Sequence, residues 1–115
     1  MTGFIIAAAI VALIVWRMMP AKGVKTISTE ELASIINDRN KLFIDVRTPA
    51  EYKGRHIPQA KNMPLGTDFS SLPKNQEIFV ICQSGMRSAQ ACKQLKKLGY
   101  NNITNIRGGM NAWRG

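Results

Sequence analysis

The hydrophobic pattern of the chain changes abruptly near residue 20. From Gly3 to Trp16 every side chain is apolar, whereas beyond residue 25 short apolar runs alternate with amphipathic stretches. A helix that is apolar on every face belongs in a membrane or in the interior of a large protein. Residues 1–19 also have the length of a membrane-spanning helix. We therefore predict a transmembrane anchor helix at 1–19, a linker at 20–25 and a folded domain at 26–115.

Two other interpretations of the apolar segment stay open at this point. A cleaved signal peptide has Lys or Arg before its apolar run and small residues at the cleavage site, but here Thr2 precedes the run and Met19-Pro20-Ala21 follows it. A buried core helix would need a larger domain to enclose it. Because Arg17, Lys22 and Lys25 all follow the run, the positive-inside rule places the domain in the cytoplasm. The predicted location is the cell membrane, with a single pass and the domain facing the cytoplasm.

Beyond the linker, two nearly continuous apolar runs predict buried strands. They are Lys41–Val46 (KLFIDV) and Glu77–Cys82 (EIFVIC), and both have the composition of strands in a parallel sheet. Shorter strands are predicted at Thr26-Ile27 and Asn102–Ile106. A loop-rich connection, with one turn of helix at Ala50–Tyr52, joins the two long runs.

Helices are predicted between the strands. Ser28 and Glu31 have the spacing of a capping box, ahead of an apolar stripe that continues to Ile36. The clearest helix is Ser88–Leu98, whose apolar face is formed by Ala91, Cys92, Leu95 and Leu98. A last helical stretch containing Trp113 follows Gly108-Gly109. Alternating strands and helices predict an α/β domain with a parallel sheet covered on both faces.

Length and charge exclude several classes of protein. The chain has 115 residues, 16 Lys or Arg against 7 Asp or Glu, and a net charge of +9, so it holds one domain of ordinary size. The basic residues are scattered and not interleaved with aromatic residues, so no nucleic-acid partner is expected. The two cysteines are too few for a secreted scaffold built on disulfides.

The chemistry concentrates where the second long strand ends, in Cys82-Gln83-Ser84-Gly85-Met86-Arg87-Ser88. In an open parallel sheet, ligands bind beyond the carboxyl ends of the strands and beside the next helix. A cysteine at that place meets the unpaired N–H groups and the positive end of a helix, and both stabilise a thiolate. An inert cysteine at the end of a core strand is the alternative, but the Gly and Arg that follow favour a reactive one.

Each loop residue has a predicted task. Gly85 allows a left-handed backbone, so that successive N–H groups converge on an anion. Ser84 offers a hydroxyl to the sulfur or to a bound oxyanion, and Arg87 offers a forked cation to an oxyanion such as thiosulfate or sulfate. We predict Cys82 as the catalytic nucleophile, with a substrate-binding loop made of Gln83, Ser84, Gly85, Met86 and Arg87.

This loop resembles the active-site loop of single-domain rhodanese-like sulfurtransferases, whose pattern is Cys-x-x-Gly-x-Arg. Three further motifs of that family are matched in the same order: Leu42–Arg47 with Glu51-Tyr52, then His56-Ile57-Pro58, and Gly108-Gly109 with Trp113. Arg55 and Gln59 depart from the family pattern, which has Gly at both positions. The resemblance covers nearly all of 26–115.

The resemblance implies a five-stranded parallel sheet flanked by helices, and a persulfide carried on Cys82. A small anionic donor such as thiosulfate would load the sulfur, and a thiol acceptor or cyanide would remove it. No cofactor and no metal ion is expected. Asp45 is predicted to support the loop by accepting its N–H groups, and Arg47 either pairs with Glu51 or contacts substrate.

Three residues outside the loop have predicted roles, and two alternative functions stay open. His56 and Trp113 are predicted to be structural, and Cys92 is predicted to pack in the core without acting as a resolving thiol. A non-enzymatic, membrane-tethered module that binds a partner and stores sulfur is one alternative function. A phosphatase on the same fold is less compatible, because its loop has one residue more before the arginine.

Overall fold

A parallel sheet of five strands forms the centre of the molecule. The computed structural model describes residues 2–18 and 23–115. The strands lie in the order β1-β5-β4-β2-β3, and every neighbouring pair is parallel. Their bounds are β1 Lys25–Ile27, β2 Lys41–Asp45, β3 Ala60–Asn62, β4 Glu77–Ile81 and β5 Ile103–Ile106. The predicted α/β fold with a five-stranded parallel sheet is therefore confirmed.

Helices cover both faces of the sheet, as a parallel sheet requires. The domain helices are α2 Thr29–Ile35, α3 Pro49–Gly54, α4 Met86–Lys97 and α5 Gly109–Ala112. The side chains of β4 alternate between two cores. Ile78, Val80 and Cys82 pack with α4 on one face, and Phe79 and Ile81 pack with α2 and α5 on the other. The side chain of Cys82 therefore lies on the α4 face.

The apolar N-terminal segment forms helix α1, Thr2–Met18. The side chains of residues 5–14 are all exposed, so the interpretation as a buried core helix is wrong. Within 2–18 and 23–115, no helix combines the length and the apolarity that crossing a membrane demands. The structure thus does not support the predicted transmembrane anchor at 1–19.

The predicted boundaries next to this helix are tested only in part. Met1 and residues 19–22, which include both end residues of the predicted anchor and half of the predicted linker 20–25, lie outside the described residues. Lys25, assigned to that linker, belongs to β1.

Smaller differences have local causes. Helix α4 begins two residues before the predicted Ser88, because Gly85 already serves as its N-cap. Leu98 is 39% exposed and is not part of the apolar face of α4. Trp113 follows the end of α5 instead of lying within it. Strand β3 was not predicted, and it is held at the sheet edge by its parallel pairing with β2.

Candidate active site

Cys82 lies between the end of β4 and the start of α4. The central position of β4 in the sheet brings the loop 82–85 to the carboxyl edge, where the N-terminus of α4 begins. Gly85 has φ 108°, a left-handed conformation that a side chain would strain. That turn points its N–H back at the cysteine, and the N–H donates to Sγ of Cys82 at 2.9 Å. The sulfur itself is fully buried.

A hydroxyl also reaches the sulfur, but it belongs to Ser88. Sγ of Cys82 lies 3.3 Å from Oγ of Ser88, and that hydroxyl donates to the carbonyl of Gly85 at 3.0 Å. Ser88 is buried in the first turn of α4. Ser84, which was predicted for this task, is exposed and makes no hydrogen bond to the sulfur within the described part of the chain. The loop turns the Ser84 side chain outward, so Ser84 does not take the first of its two predicted roles, contact with the sulfur, and contact with a bound oxyanion stays a prediction.

The backbone that follows the Gly108-Gly109 pair, at the start of α5, holds the loop 82–85 in place. The N–H groups of Met110 and Asn111 donate to the carbonyls of Cys82 and Gln83, at 2.8 and 3.0 Å. A side chain on Gly109 would overlap the Cys82 carbonyl oxygen and lie 2.8 Å from the carbonyl carbon of Gln83. Only glycine allows α5 to approach the loop this closely. The motif was noted in the sequence, but its contact with Cys82 could not be read from it.

The side chain of Gln83 bridges two neighbours instead of standing free. Its Oε1 accepts from Nη1 of Arg47 at 3.2 Å, and its Nε2 donates to Oδ1 of Asn111 at 2.5 Å. The adjacent Met86 is 59% exposed and points into solvent. Of the predicted loop residues, Gln83 therefore stabilises the loop, and Met86 lies at its rim.

Asp45 and Arg47 form a buried ion pair at the end of the neighbouring strand β2. Nε and Nη2 of Arg47 donate to the Asp45 carboxylate at 3.1 and 2.8 Å, and the Arg47 N–H donates to it at 2.9 Å. Arg47 also donates to the carbonyls of Glu51 and Arg55. Both side chains are at most 3% exposed. The Asp45 carboxylate thus holds Arg47 and accepts no hydrogen bond from the described N–H groups of the loop 82–85, unlike the role predicted for it. Of the two roles predicted for Arg47, the salt bridge with Glu51 is not formed, and a contact with substrate stays a prediction.

The Glu51 carboxylate pairs with Arg87 instead. Nη1 and Nη2 of Arg87 donate to its two oxygens at 2.6 and 2.9 Å, which is a bidentate geometry. Glu51 also completes a capping box with Thr48 at the start of α3. The Arg87 guanidinium, together with these capping hydrogen bonds, lowers the pKa of Glu51 from 4.5 to about 2. In return the pKa of Arg87 is raised, mainly by Glu51 and to a smaller extent by charge on Cys82.

The second cysteine lies in the core. Cys92 is 1% exposed on the buried face of α4. Burial, and to a smaller extent charge on Cys82, raises the pKa of its thiol to about 12. Neither cysteine is in a disulfide. Cys92 therefore remains a thiol at neutral pH, as its predicted packing role requires.

His56 and Trp113 have structural contacts. The His56 ring stacks on Tyr52 with centroids 4.0 Å apart, and its Nδ1 lies 2.8 Å from the carbonyl of Tyr52. Trp113 is buried in the core beside α2 and α5. Arg55 donates to the carbonyls of Met110 and Trp113, so this departure from the family pattern fastens α5 to the end of α3.

Comparison with known proteins agrees with this arrangement. The family model of the rhodanese-like domain matches residues 28–115. A sulfurtransferase of Allochromatium vinosum is 38% identical over 94 residues, covering 78% of this chain and 88% of its own. A putative sulfurtransferase of Bacillus subtilis, YtwF, is 40% identical over 96 residues, covering 80% and 92%. The crystal structure of a rhodanese-like domain protein from Staphylococcus aureus is similar with a TM-score of 0.72 at 34% identity, covering 79% and 92%.

Proposed function

The chain belongs to the rhodanese-like domain family, and on that premise we propose that it is a sulfurtransferase that carries a sulfane sulfur on Cys82. The single observation that supports this most strongly is the placement of Sγ of Cys82, which receives the Gly85 N–H at 2.9 Å at the N-terminus of α4. This environment favours negative charge on sulfur. A negative sulfur is what both halves of the reaction require.

The transfer has two displacement steps. In the first, the Cys82 thiolate attacks the outer sulfur of the donor; the bond between the two donor sulfurs breaks, and its electron pair leaves with the remainder of the donor. With thiosulfate the leaving group is sulfite, and with a persulfide it is a thiolate. In the second, an acceptor thiolate or cyanide attacks the terminal sulfur of the Cys82 persulfide, and the Cys82 thiolate leaves.

The surrounding groups have distinct tasks in these steps. The Gly85 N–H and the first turn of α4 stabilise the sulfur anion before attack and again when it leaves. The Ser88 hydroxyl accepts from the thiol, and it rotates to donate once the sulfur is deprotonated. The N–H groups of Met110 and Asn111 fix the two loop carbonyls. None of these tasks needs a general base.

A single-turnover experiment tests the proposal. The reduced protein is mixed with excess donor, and the released sulfite or thiol is measured before and after an acceptor is added. One equivalent should be released per protein, and turnover should continue when acceptor is present. A protein that loads sulfur but does not turn over with any acceptor would be the storage module considered above. Cys82→Ser should release nothing.

The predicted location at a membrane, facing the cytoplasm, stays a prediction.

A further inference from the structure

We propose that Glu51 determines the class of sulfur donor: by occupying the Arg87 guanidinium it disfavours oxyanion donors such as thiosulfate and leaves the site suited to the persulfide of a thiol. This inference rests on the function proposed above and makes it more specific. The inference replaces the expectation that the Arg87 guanidinium is free to bind thiosulfate.

The guanidinium of Arg87 is already filled in the way an oxyanion would fill it. Its two terminal nitrogens donate in parallel to the two carboxylate oxygens of Glu51, at 2.6 and 2.9 Å. The sulfonate end of thiosulfate would need the same two donors in the same plane. Thiosulfate binding at Arg87 therefore has to displace the carboxylate.

The carboxylate is held firmly at this position. Its Oε1 also accepts from the N–H of Thr48 at 3.1 Å and from the Thr48 hydroxyl at 3.1 Å, so it belongs to the cap of α3 as well as to the ion pair. The lowered pKa of Glu51, about 2, keeps it charged at every physiological pH. A dianion that approaches Arg87 thus meets a fixed negative charge within a few ångströms, which raises its energy.

Two other guanidinium groups contact the loop or its support, and both have protein acceptors. The Arg47 guanidinium donates to the Asp45 carboxylate and to two backbone carbonyls, and the residue is 2% exposed. Arg55 donates to the carbonyls of Met110 and Trp113. Neither can replace Arg87 without losing its own bonds. The arginines that build this site are therefore engaged before any donor arrives.

A thiol persulfide does not need a free guanidinium group in order to react. The Cys82 thiolate attacks the outer sulfur of R–S–SH, the S–S bond breaks, and R–S⁻ leaves with the electron pair, so that the sulfane sulfur and its proton stay on Cys82. The reacting atoms are sulfurs, and the donor at hand for them is the backbone N–H of Gly85, 2.9 Å from Sγ. The loop can thus serve this donor with the ion pair of Glu51 and Arg87 intact.

The test compares two donors on three proteins: the wild type, Glu51→Gln and Glu77→Gln. Glutamine at residue 51 keeps the capping box, since Gln serves there as well as Glu, but it removes the charge. Glu77→Gln removes the same charge from another ion pair, with Lys41 at 2.9 Å, at the opposite end of β4. The donors are thiosulfate and the persulfide of 2-mercaptoethanol, whose organic part is neutral.

We expect Glu51→Gln to raise kcat/KM for thiosulfate about fivefold or more, because it frees the Arg87 guanidinium from a competing acceptor and also removes a negative charge beside the incoming dianion. The persulfide value should change less than about twofold, and Glu77→Gln should change neither. Adding Arg87→Gln to Glu51→Gln should abolish the gain. The ratio of the two kcat/KM values does not depend on the folded fraction, and Glu51→Ala, which loses the cap, should shift that ratio in the same direction.

The inference is overturned if the ratio stays at its wild-type value, or if both donors improve together in Glu51→Gln. It is also overturned if the gain survives Arg87→Gln. If no donor loads Cys82 in any of the proteins, it is the proposed sulfurtransferase function that fails, so the two failures are distinguishable.

Discussion

The backbone of Gly109 lies so close to the carbonyl of Cys82 that any side chain at residue 109 would overlap the carbonyl oxygen. This contact allows the N–H of Met110 to donate to that carbonyl at 2.8 Å. The loop that holds the sulfur is thus shaped from two sides, by α4 in front and by the N-terminus of α5 behind.

Gly109→Ala should displace this loop. The obstructing atoms belong to the backbone and φ of residue 109 is +55°, so we expect a loss of about 1–3 kcal/mol in the free energy of unfolding. Sulfur loading of Cys82 should fall well beyond the loss of folded protein. Gly54→Ala is the matched control, because a side chain there meets nothing within 4 Å. Urea unfolding and donor consumption measure both effects, and normal loading by Gly109→Ala would contradict the supporting role of this contact.

The two cysteines should differ sharply in reactivity. Cys92 is buried and its pKa is raised to about 12, so in the native protein iodoacetamide should not label it at neutral pH. Cys92→Ala should retain nearly all sulfur transfer and lose stability only through a small cavity. Peptide mapping after labelling gives the result for each cysteine. Labelling of Cys92 before unfolding would show that the α4 face opens in a way this account does not include.

Ser88→Ala should slow the loading of Cys82 without unfolding the domain. The lost hydroxyl contacts Sγ at 3.3 Å, and a hydrogen bond worth about 1–1.5 kcal/mol corresponds to a decrease of roughly 5- to 12-fold in rate.

The matched control for this variant is Ser34→Ala. Both serines donate to the carbonyl three residues earlier, Ser34 to Glu31 at 2.6 Å and Ser88 to Gly85 at 3.0 Å, but only Ser88 contacts sulfur. An equal decrease in loading rate in both variants would mean that the effect comes from the lost serine hydrogen bond within each helix, and not from the lost contact with the sulfur.

Acid should weaken the contact between α3 and α4. The folded-state pKa of Glu51 is lowered from 4.5 to about 2, so its contribution to stability is fully present above about pH 4.5 and is lost as the pH falls towards 2. The free energy of unfolding of the wild type, minus that of Glu51→Gln, should be constant above pH 5 and decline below it. The amplitude should be at most about 1 kcal/mol, because both side chains are about one third exposed and water screens the pair. A difference independent of pH from 6 down to 2 would contradict the pairing.

The parts of the fold that could be predicted are those with a local signature. The central strands β2 and β4 are continuous apolar runs, and α4 has an apolar face ended by glycine. Strand β3 has no such signature: it is three residues long, Lys61 faces outward, and only its pairing with β2 defines it.

The site was predicted where one loop forms it and missed where distant elements meet. Cys82 and Gly85 follow from the loop itself. The path of that loop decides which serine faces the sulfur. The packing of α3 beside α4 decides whether Arg47 or Arg87 pairs with Glu51, and the pair that forms joins residues 36 positions apart in the chain. The contact of Gly109 with Cys82 likewise requires the position of α5.

The measurement that tests the central claim most directly is the mass of Cys82 after exposure to a sulfur donor. The reduced protein is incubated with 2-mercaptoethanol persulfide, freed of donor and digested under conditions that preserve persulfides. We expect the peptide containing Cys82 to gain the mass of one sulfur atom, the peptide containing Cys92 to stay unchanged, and cyanide to remove the added sulfur as thiocyanate. A sulfur found on Cys92, or no added sulfur on Cys82 while the donor is nevertheless consumed, would contradict that claim.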